Sequence, residues 1–376
     1  MQPQIETIDL LKMASGDVLS LQIYKYIGRY SGKKVYIQSN LHGGEIVGNG
    51  VMQQLIEYLS TVEQDALYGE IWLVPVCNPL GTNQRGHFFA TGRFNSYDGQ
   101  NWNRIFWDYE KECDDLTAFA RSQVNNPPEV IRKNYLEKIQ AEWAKELLQL
   151  QQPSSNTVSK QYRAVVQSLC LDADYVIDLH SSSNQAIDFL FCFTTREESA
   201  GYFLFDYGVL MTEYDGEAFD EAFLKPWLAL EKEFGKLGSN IKFDLESWTL
   251  ELGSGMTMAP DSVKRGFNGI KNYLLYKKVI RTEDAIANRS IKLVQRSAIK
   301  SYYAATGGMV QNRLPLKTKV QKGDRLYQIL SFNKQQQLPE VINVVAQTDG
   351  IVFDVATNQC VNQGEYVLDL LSASSN

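Results

Sequence analysis

His42-Gly43-Gly44-Glu45 sets an imidazole and a carboxylate three residues apart, straight after a strand-like run. Those two side chains are half of a catalytic zinc site, which takes three protein ligands and keeps a fourth position for water. The two glycines between them allow the tight backbone that such a turn needs. Histidine is scarce: His42, His87 and His180 are the only three in 376 residues, so few histidine-based sites are possible. His180 supplies the third ligand. It closes the apolar run Tyr175-Val-Ile-Asp178-Leu-His180-Ser181, and in open α/β sheets sites lie beyond the carboxyl ends of the strands. Strand alternation puts Asp178 on the same side as His180. There it either holds a ligand histidine in orientation or binds a substrate amine. His87, in Gly86-His87-Phe88, reads as a loop histidine without a ligand role, with a substrate contact as the alternative.

A metal alone does not hydrolyse an amide; a general base must take a proton from water and return it to the leaving nitrogen. Ser247-Trp-Thr249-Leu-Glu251-Leu-Gly253 offers Glu251 at another apolar strand end. Glu246 competes for the role, but its place ahead of the strand predicts a solvated side chain. The Gly-, Asn- and Arg-rich stretch 81–107 has poor periodicity and reads as a long loop, of the kind that often carries function. Within it, Asn103-Arg104 suits a substrate carboxylate, because the guanidinium fork matches carboxylate geometry. A second arginine would polarise the scissile carbonyl and stabilise the oxyanion. Arg93 and Arg85 are both candidates.

These groups need elements to hold them. Val18–Tyr26 and Lys34–Gln38 read as strands ahead of the turn. From Glu45 to Ser60, the apolar residues Ile46, Val47, Val51, Met52, Leu55, Ile56 and Leu59 have helical spacing. Glu70–Val76 reads as a buried strand closed by Asn78-Pro79. Residues 127–151 and 160–170 predict helices and Tyr175–Leu179 a strand. Further strands are expected near Ile187–Phe193 and Ser247–Leu252, and a helix over Pro260–Arg281. This alternation argues for an α/β fold with a mostly parallel central sheet. After about residue 288 the pattern changes to short β-like runs. There Val320-Gln-Lys-Gly323-Asp-Arg-Leu326 matches Val361-Asn-Gln-Gly364-Glu-Tyr-Val367. Two similar halves with glycine turns predict a small β-barrel or sandwich of interlocked units. We place a domain boundary at 288.

The bulk properties narrow the classes. Hydrophobic residues make up 44% and charged residues 22%, as in ordinary globular proteins. A net charge of −7 disfavours nucleic-acid binding. No apolar run reaches the length of a spanning helix, and the first ten residues lack the apolar core of a signal peptide. The five scattered cysteines read as reduced thiols with no metal-binding pair pattern. A cytoplasmic protein is expected, with a small-molecule substrate and no nucleic-acid or membrane partner; a homo-oligomer is left open.

In this order, His42, Glu45, Asn103, Arg104, His180 and Glu251 resemble the zinc carboxypeptidase-like superfamily, and within it the succinylglutamate desuccinylase/aspartoacylase family. The resemblance spans about residues 17–280. It rests on the HGxE turn, Asn78-Pro79, Gly92-Arg93-Phe94 before Asn101-Trp-Asn103-Arg104, the Asp-Leu-His strand end and Thr249-x-Glu251-x-Gly253. The text looks most like a bacterial subgroup encoded near arginine/ornithine transport genes. The resemblance implies a mixed central sheet flanked by helices, followed by a small β domain. It implies one zinc per chain on His42, Glu45 and His180, with Glu251 as base and acid. It also implies Arg93 at the carbonyl and Asn103-Arg104, with Arg85 a further candidate, at the substrate. One departure is visible: many members have Asp two residues before the Asn-Arg pair, where this chain has Asn101.

Two segments stand outside that core. The helical stretch 108–170 looks long for the family and is expected to form a lid or a subunit contact. Residues 289–376 resemble a biotinyl/lipoyl-like barrel, but Ala346-Gln-Thr-Asp349-Gly350-Ile351-Val352 has no lysine to carry a group. A structural or cleft-shielding role is therefore expected. Together these readings point to a zinc-dependent hydrolase that cleaves the amide of a small N-acyl amino acid or related carboxylate-bearing amide. The alternatives are a metallocarboxypeptidase acting on short peptides and a non-catalytic binder of amino-acid derivatives.

Overall fold

The computed structural model describes residues 1–112 and 115–372. Among these the first ten strands are β1 (Gln4–Lys12), β2 (Val18–Ile27), β3 (Tyr30–Ser39), β4 (Tyr68–Val74), β5 (Tyr175–Ser182), β6 (Gln185–Ala186), β7 (Phe189–Phe193), β8 (Tyr207–Met211), β9 (Glu246–Ser254) and β10 (Lys292–Gln295). All but β6 form a nine-stranded sheet in the order β1-β2-β4-β3-β5-β9-β7-β8-β10. The sheet is mixed. Its centre, β4-β3-β5-β9, is parallel, while β1, β2 and the β7–β9 pairing are antiparallel. Because β3, β5 and β9 run together, their carboxyl ends gather on one edge, and His42, Glu45, His180 and Glu251 sit there. β10 lies beyond residue 288, yet it pairs with β8 in this sheet.

Helices cover both faces. Val47–Thr61 buries Val47, Val51, Met52, Leu55 and Leu59 against Ile37, Leu179 and Leu250, together with the helix Pro260–Tyr276. On the other face lie helices Pro128–Gln149, Val158–Cys170 and Phe219–Lys236, around Tyr36 and Val176. Ile131, Tyr135, Ile139 and Trp143 recur one helical turn apart and are buried there. Within the described part of 108–170, Tyr135 packs against Phe119 and Trp227 and Trp143 against Trp107, so this stripe is part of the core. Cys113 lies outside the described residues; Cys77, Cys170, Cys192 and Cys360 are free thiols. No described helix is long and apolar enough to cross a membrane.

The remaining strands are β11 (Ile299–Tyr303), β12 (Gly308–Gln311), β13 (Lys319–Val320), β14 (Arg325–Ser331), β15 (Glu340–Val345), β16 (Gly350–Val355), β17 (Cys360–Val361) and β18 (Tyr366–Ser372). They form two antiparallel sheets, β11-β18-β16-β13 and β15-β14-β12-β17. The sequence repeat is visible as geometry. Each copy is a short strand, a left-handed glycine (Gly323 at φ 95°, Gly364 at φ 86°) and a long strand. In each copy the short and long strands join different sheets, so the two copies interlock. β6 reaches out of the large domain to pair with β16, and Ile187, Phe189, Val209, Phe353 and Leu371 fill the seam between the two parts.

Candidate metal centre and active site

The turn after β3 is held by its neighbours. Asn40, at φ 62°, donates through its side chain to the carbonyls of Gly43 and Glu45. Gly43 and Gly44 donate to the carbonyls of Gly92 and Thr91. A Cβ on Gly43 would lie 2.0 Å from the Gly81 backbone. The glycine is thus required by close approach of the 81–93 loop, and that approach carries Arg93 to the turn.

The two oxygens of Glu45 divide between the two histidines. Oε1 lies 3.0 Å from Nδ1 of His42, and Oε2 lies 2.8 Å from Nδ1 of His180 and accepts from the Ser181 amide at 3.2 Å. One ligand atom from each residue falls within 4.8 Å of the others. All three side chains are nearly fully buried. Burial alone would raise the Glu45 carboxyl, but the two imidazoles hold it well below the usual range. Two imidazole nitrogens and a carboxylate that converge in a buried pocket suit a borderline divalent ion such as zinc.

Each imidazole is fixed from behind. Asp178 lies 2.8 Å from Nε2 of His180 and accepts on its other oxygen from Gln38 at 3.1 Å. Burial opposes charge on His180, yet Asp178 and Glu45 prevail and push its titration up. Of the two roles open to Asp178, the geometry is that of orienting the histidine. Asn101 does the same for His42, with Oδ1 2.9 Å from Nε2. The departure at position 101 therefore touches a candidate ligand's support.

Glu251 stands on β9 opposite His180 of β5. Its Oε2 is buried without a hydrogen-bond partner among the described residues. Burial, helped by Glu45 and Asp354, pushes its carboxyl up to about 7 against the pull of His180 and Arg93. Arg93 is the cation nearest the centre: Nη1 lies 3.3 Å from Nδ1 of His42 and 3.5 Å from Oε1 of Glu45. A cavity of about 170 Å³ is lined by His42, Arg93, Asn103, Arg104, His180 and Glu251, among others. A larger one of about 480 Å³ shares Arg93, Phe191, Glu251 and Arg296 with it and is walled on its far side by the β sandwich.

The structure thus brings together His42, Glu45, His180, Glu251, Arg93, Asn103 and Arg104. It leaves out Arg85, which is exposed, donates to the carbonyls of Thr82 and Gln84, and lines neither cavity. His87 is exposed at φ 66° with its ring against Phe88, and it too lies outside both linings. Glu246 is not solvated: it is the first residue of β9, 5% exposed, and its carboxylate accepts from Ser199, Trp248, Tyr273 and Lys277. Unforeseen from sequence are Asp220 and Glu221, which open the helix Phe219–Lys236 and line the smaller cavity. Burial raises both carboxyls, Glu221 to about 7. Asn103 ties that helix to the site by accepting from the Phe219 amide at 2.8 Å.

Residues 31–202 match the model of the succinylglutamate desuccinylase/aspartoacylase catalytic domain. No curated protein matches the chain in sequence. Among solved structures, a protein from Shewanella amazonensis SB2B assigned to that family is 27% identical, with TM-score 0.88 over 98% of this chain and 99% of its own. One from Shewanella frigidimarina NCIMB 400 is 24% identical, with TM-score 0.89 over 99% and 98%. The ectoine utilization protein EutE (DoeB) from Ruegeria pomeroyi, solved with product bound, shares the fold at 16% identity and TM-score 0.65, over 98% and 95%.

Proposed function

We propose that the chain belongs to the succinylglutamate desuccinylase/aspartoacylase family, whose catalytic-domain model matches residues 31–202, and that it is a zinc-dependent hydrolase of a small N-acyl amino acid or related carboxylate-bearing amide. His42, Glu45 and His180 would hold one zinc ion. When bound, zinc lowers the pKa of water and polarises a carbonyl.

The rest falls to the chain's own groups. Glu251 takes the proton of the attacking water on its open Oε2 and returns it to the leaving nitrogen as the C–N bond breaks. Arg93, in contact range of His42 and Glu45, offers its guanidinium to the oxyanion. Arg104 engages the substrate carboxylate, with Asn103 beside it on the same wall. Asp178 and Asn101 keep the imidazoles in place. The β sandwich forms one wall of the larger cavity, which favours a small amide over a polypeptide. We assign catalysis to the region before residue 289 and shielding of the cleft to the β unit after it.

The reading rests on one observation above the rest: Glu251 faces His180 across adjacent strands, with an oxygen that has no hydrogen-bond partner among the described residues. The test is a zinc assay with an activity screen. Purified protein should carry about one zinc per chain and cleave one or more N-acyl amino acids in preference to dipeptides. Glu251→Gln should keep the metal and lose turnover; full turnover in that variant would remove Glu251 as the base.

A further inference from the structure

The larger cavity has a wall whose charge the proposed reaction does not use. Asp354 on β16 and Asp369 on β18 are directly opposed cross-strand partners, and a β-bulge between Val352 and Asp354 sets that register. Both line the cavity that also contains Glu251. Asp354 is 9% exposed and held rigidly: it accepts from Ser182 at 2.5 Å and from Tyr366 at 2.6 Å. Asp369 is half-buried, and its Oδ1 is buried with no hydrogen-bond partner among the described residues. Two carboxylates placed directly opposite one another repel, and burial sharpens the repulsion. Burial duly raises both carboxyls above their usual range.

Among the described residues, no cation forms an ion pair with either carboxylate. Arg296 lies near Asp369 and Arg313 near Asp354, but Arg313 spends its Nη1 on the carbonyls of Ala356 and Val367. A second feature of the same cavity also calls for a ligand. Ser181 lines it, is 2% exposed, and has a hydroxyl without a partner among the described residues. The cavity reaches Glu251, which borders both chambers, whereas Arg104 lines only the smaller one.

We propose that the acyl portion of the substrate, on the far side of the scissile amide from Arg104, carries a cationic nitrogen, an ammonium or guanidinium, recognised by Asp354 and Asp369. This rests on the amide-hydrolase reading and narrows it. Glu251, Arg93 and the metal centre define where the amide sits. Arg104 takes the carboxylate, and the two aspartates of the β sandwich take the cation. Asp354, fixed by two short hydrogen bonds, orients the pair; Asp369 offers the open oxygen. The sandwich is then a specificity wall as well as a cover.

The test compares matched pairs that differ only in the ammonium: butanoyl-glycine with 4-aminobutanoyl-glycine, and hexanoyl-glycine with 6-aminohexanoyl-glycine. The zinc-loaded wild type should favour the aminated member of at least one pair by about tenfold or more in kcat/KM, since a site built for a polar group rejects the analogue that lacks it. Asp369→Asn is nearly isosteric and removes one of two repelling charges, so it should fold; it should bring that preference close to parity through KM. Calorimetric titration of the same compounds into Glu251→Gln protein, with and without Asp369→Asn, reads the preference without turnover. Parity or a neutral preference in the wild type overturns the proposal, as does a preference that Asp369→Asn leaves intact. Hydrolysis of the neutral compounds alone would sink this inference and leave the hydrolase reading standing. Absence of hydrolysis together with an Asp369-dependent binding preference would do the reverse.

Discussion

Asn101 Oδ1 stands 2.9 Å from Nε2 of His42, and the same oxygen accepts the backbone N–H of Asn103 at 2.9 Å. The second bond identifies the atom as the amide oxygen, since a backbone N–H needs an acceptor. An oxygen can only accept from the imidazole, so Nε2 of His42 donates to it and Nδ1 is the ring nitrogen left for a metal. Nδ1 faces Glu45. A side chain 59 residues along the chain thus leaves free the ring nitrogen that a metal requires.

Asn101→Ala should therefore weaken metal binding by about 10–100-fold, the usual effect of losing such a support. Asn101→Asp, which keeps an acceptor for both N–H groups, should lose far less. Competition with a chromophoric chelator measures both. Equal affinity in wild type and Asn101→Ala would show that the ring is fixed by other contacts.

Glu251 gives a stability signature that needs no substrate. In the metal-free fold its carboxyl titrates at about 7, above an ordinary glutamate, because burial disfavours the charged form. The folded state therefore holds a proton that the unfolded chain releases, and this contribution is lost as pH rises from about 4.5 through 7. Glu251→Gln mimics the protonated group. With metal removed, its melting temperature should exceed that of the wild type at pH about 8 and converge with it near pH about 5. Added zinc, a nearby positive charge, should draw Glu251 down and narrow the gap at the higher pH. A gap independent of pH would mean that the carboxyl is not perturbed.

Much of the centre was legible because its signals are local. A turn of His-Gly-Gly-Glu and apolar strands ending in His180 and Glu251 are patterns within single segments, and parallel strands gather their carboxyl ends without further information. What escaped depends on contacts between segments. The helix Phe219–Lys236 carries Pro226 in its interior and buries residues all round, so it shows no clean stripe, and Asp220 and Glu221 went with it. Arg93 and Arg85 have the same chemistry eight residues apart; only the packing of Gly43 against Gly81 and Gly92 decides which one faces the turn. Glu246 seemed to precede its strand, because its polar partners come from the 199 and 273–277 segments.

Glu246 and Glu251 are five positions apart on β9, so alternation sends them to opposite faces. Glu246 points to the side of Trp248 and Tyr273, away from the metal centre, and is fully engaged there. Glu246→Ala should destabilise the fold by about 3 kcal/mol or more, because Lys277 and three buried donors, Ser199, Trp248 and Tyr273, lose this acceptor. Urea unfolding measures the loss. Metal affinity of the folded fraction should not change. A Glu246→Ala protein of unchanged stability but impaired turnover would reverse the assignment of the two glutamates.

The arginines separate by the kinetic parameter each one moves. Among the described residues, Arg85 bonds only to carbonyls of its own turn, so Arg85→Ala should leave kcat and KM within about twofold of wild type, within the range of neutral surface changes. Arg104 lines the smaller chamber with Nε 3.8 Å from Asp215, in a pair too exposed to hold the fold. Its loss should raise KM for carboxylate-bearing substrates with little change in kcat, the mark of binding made equally in ground and transition states. Arg93 lies against His42 and Glu45, where charge develops on the carbonyl oxygen. Arg93→Ala should lower kcat by about 10²–10³-fold. Because Arg93 also balances the charge of Glu45, metal content must be measured beside the rate. If Arg93→Ala retains its metal and its kcat while Arg85→Ala does not, the carbonyl contact belongs to Arg85, and the 81–93 loop must close differently around substrate.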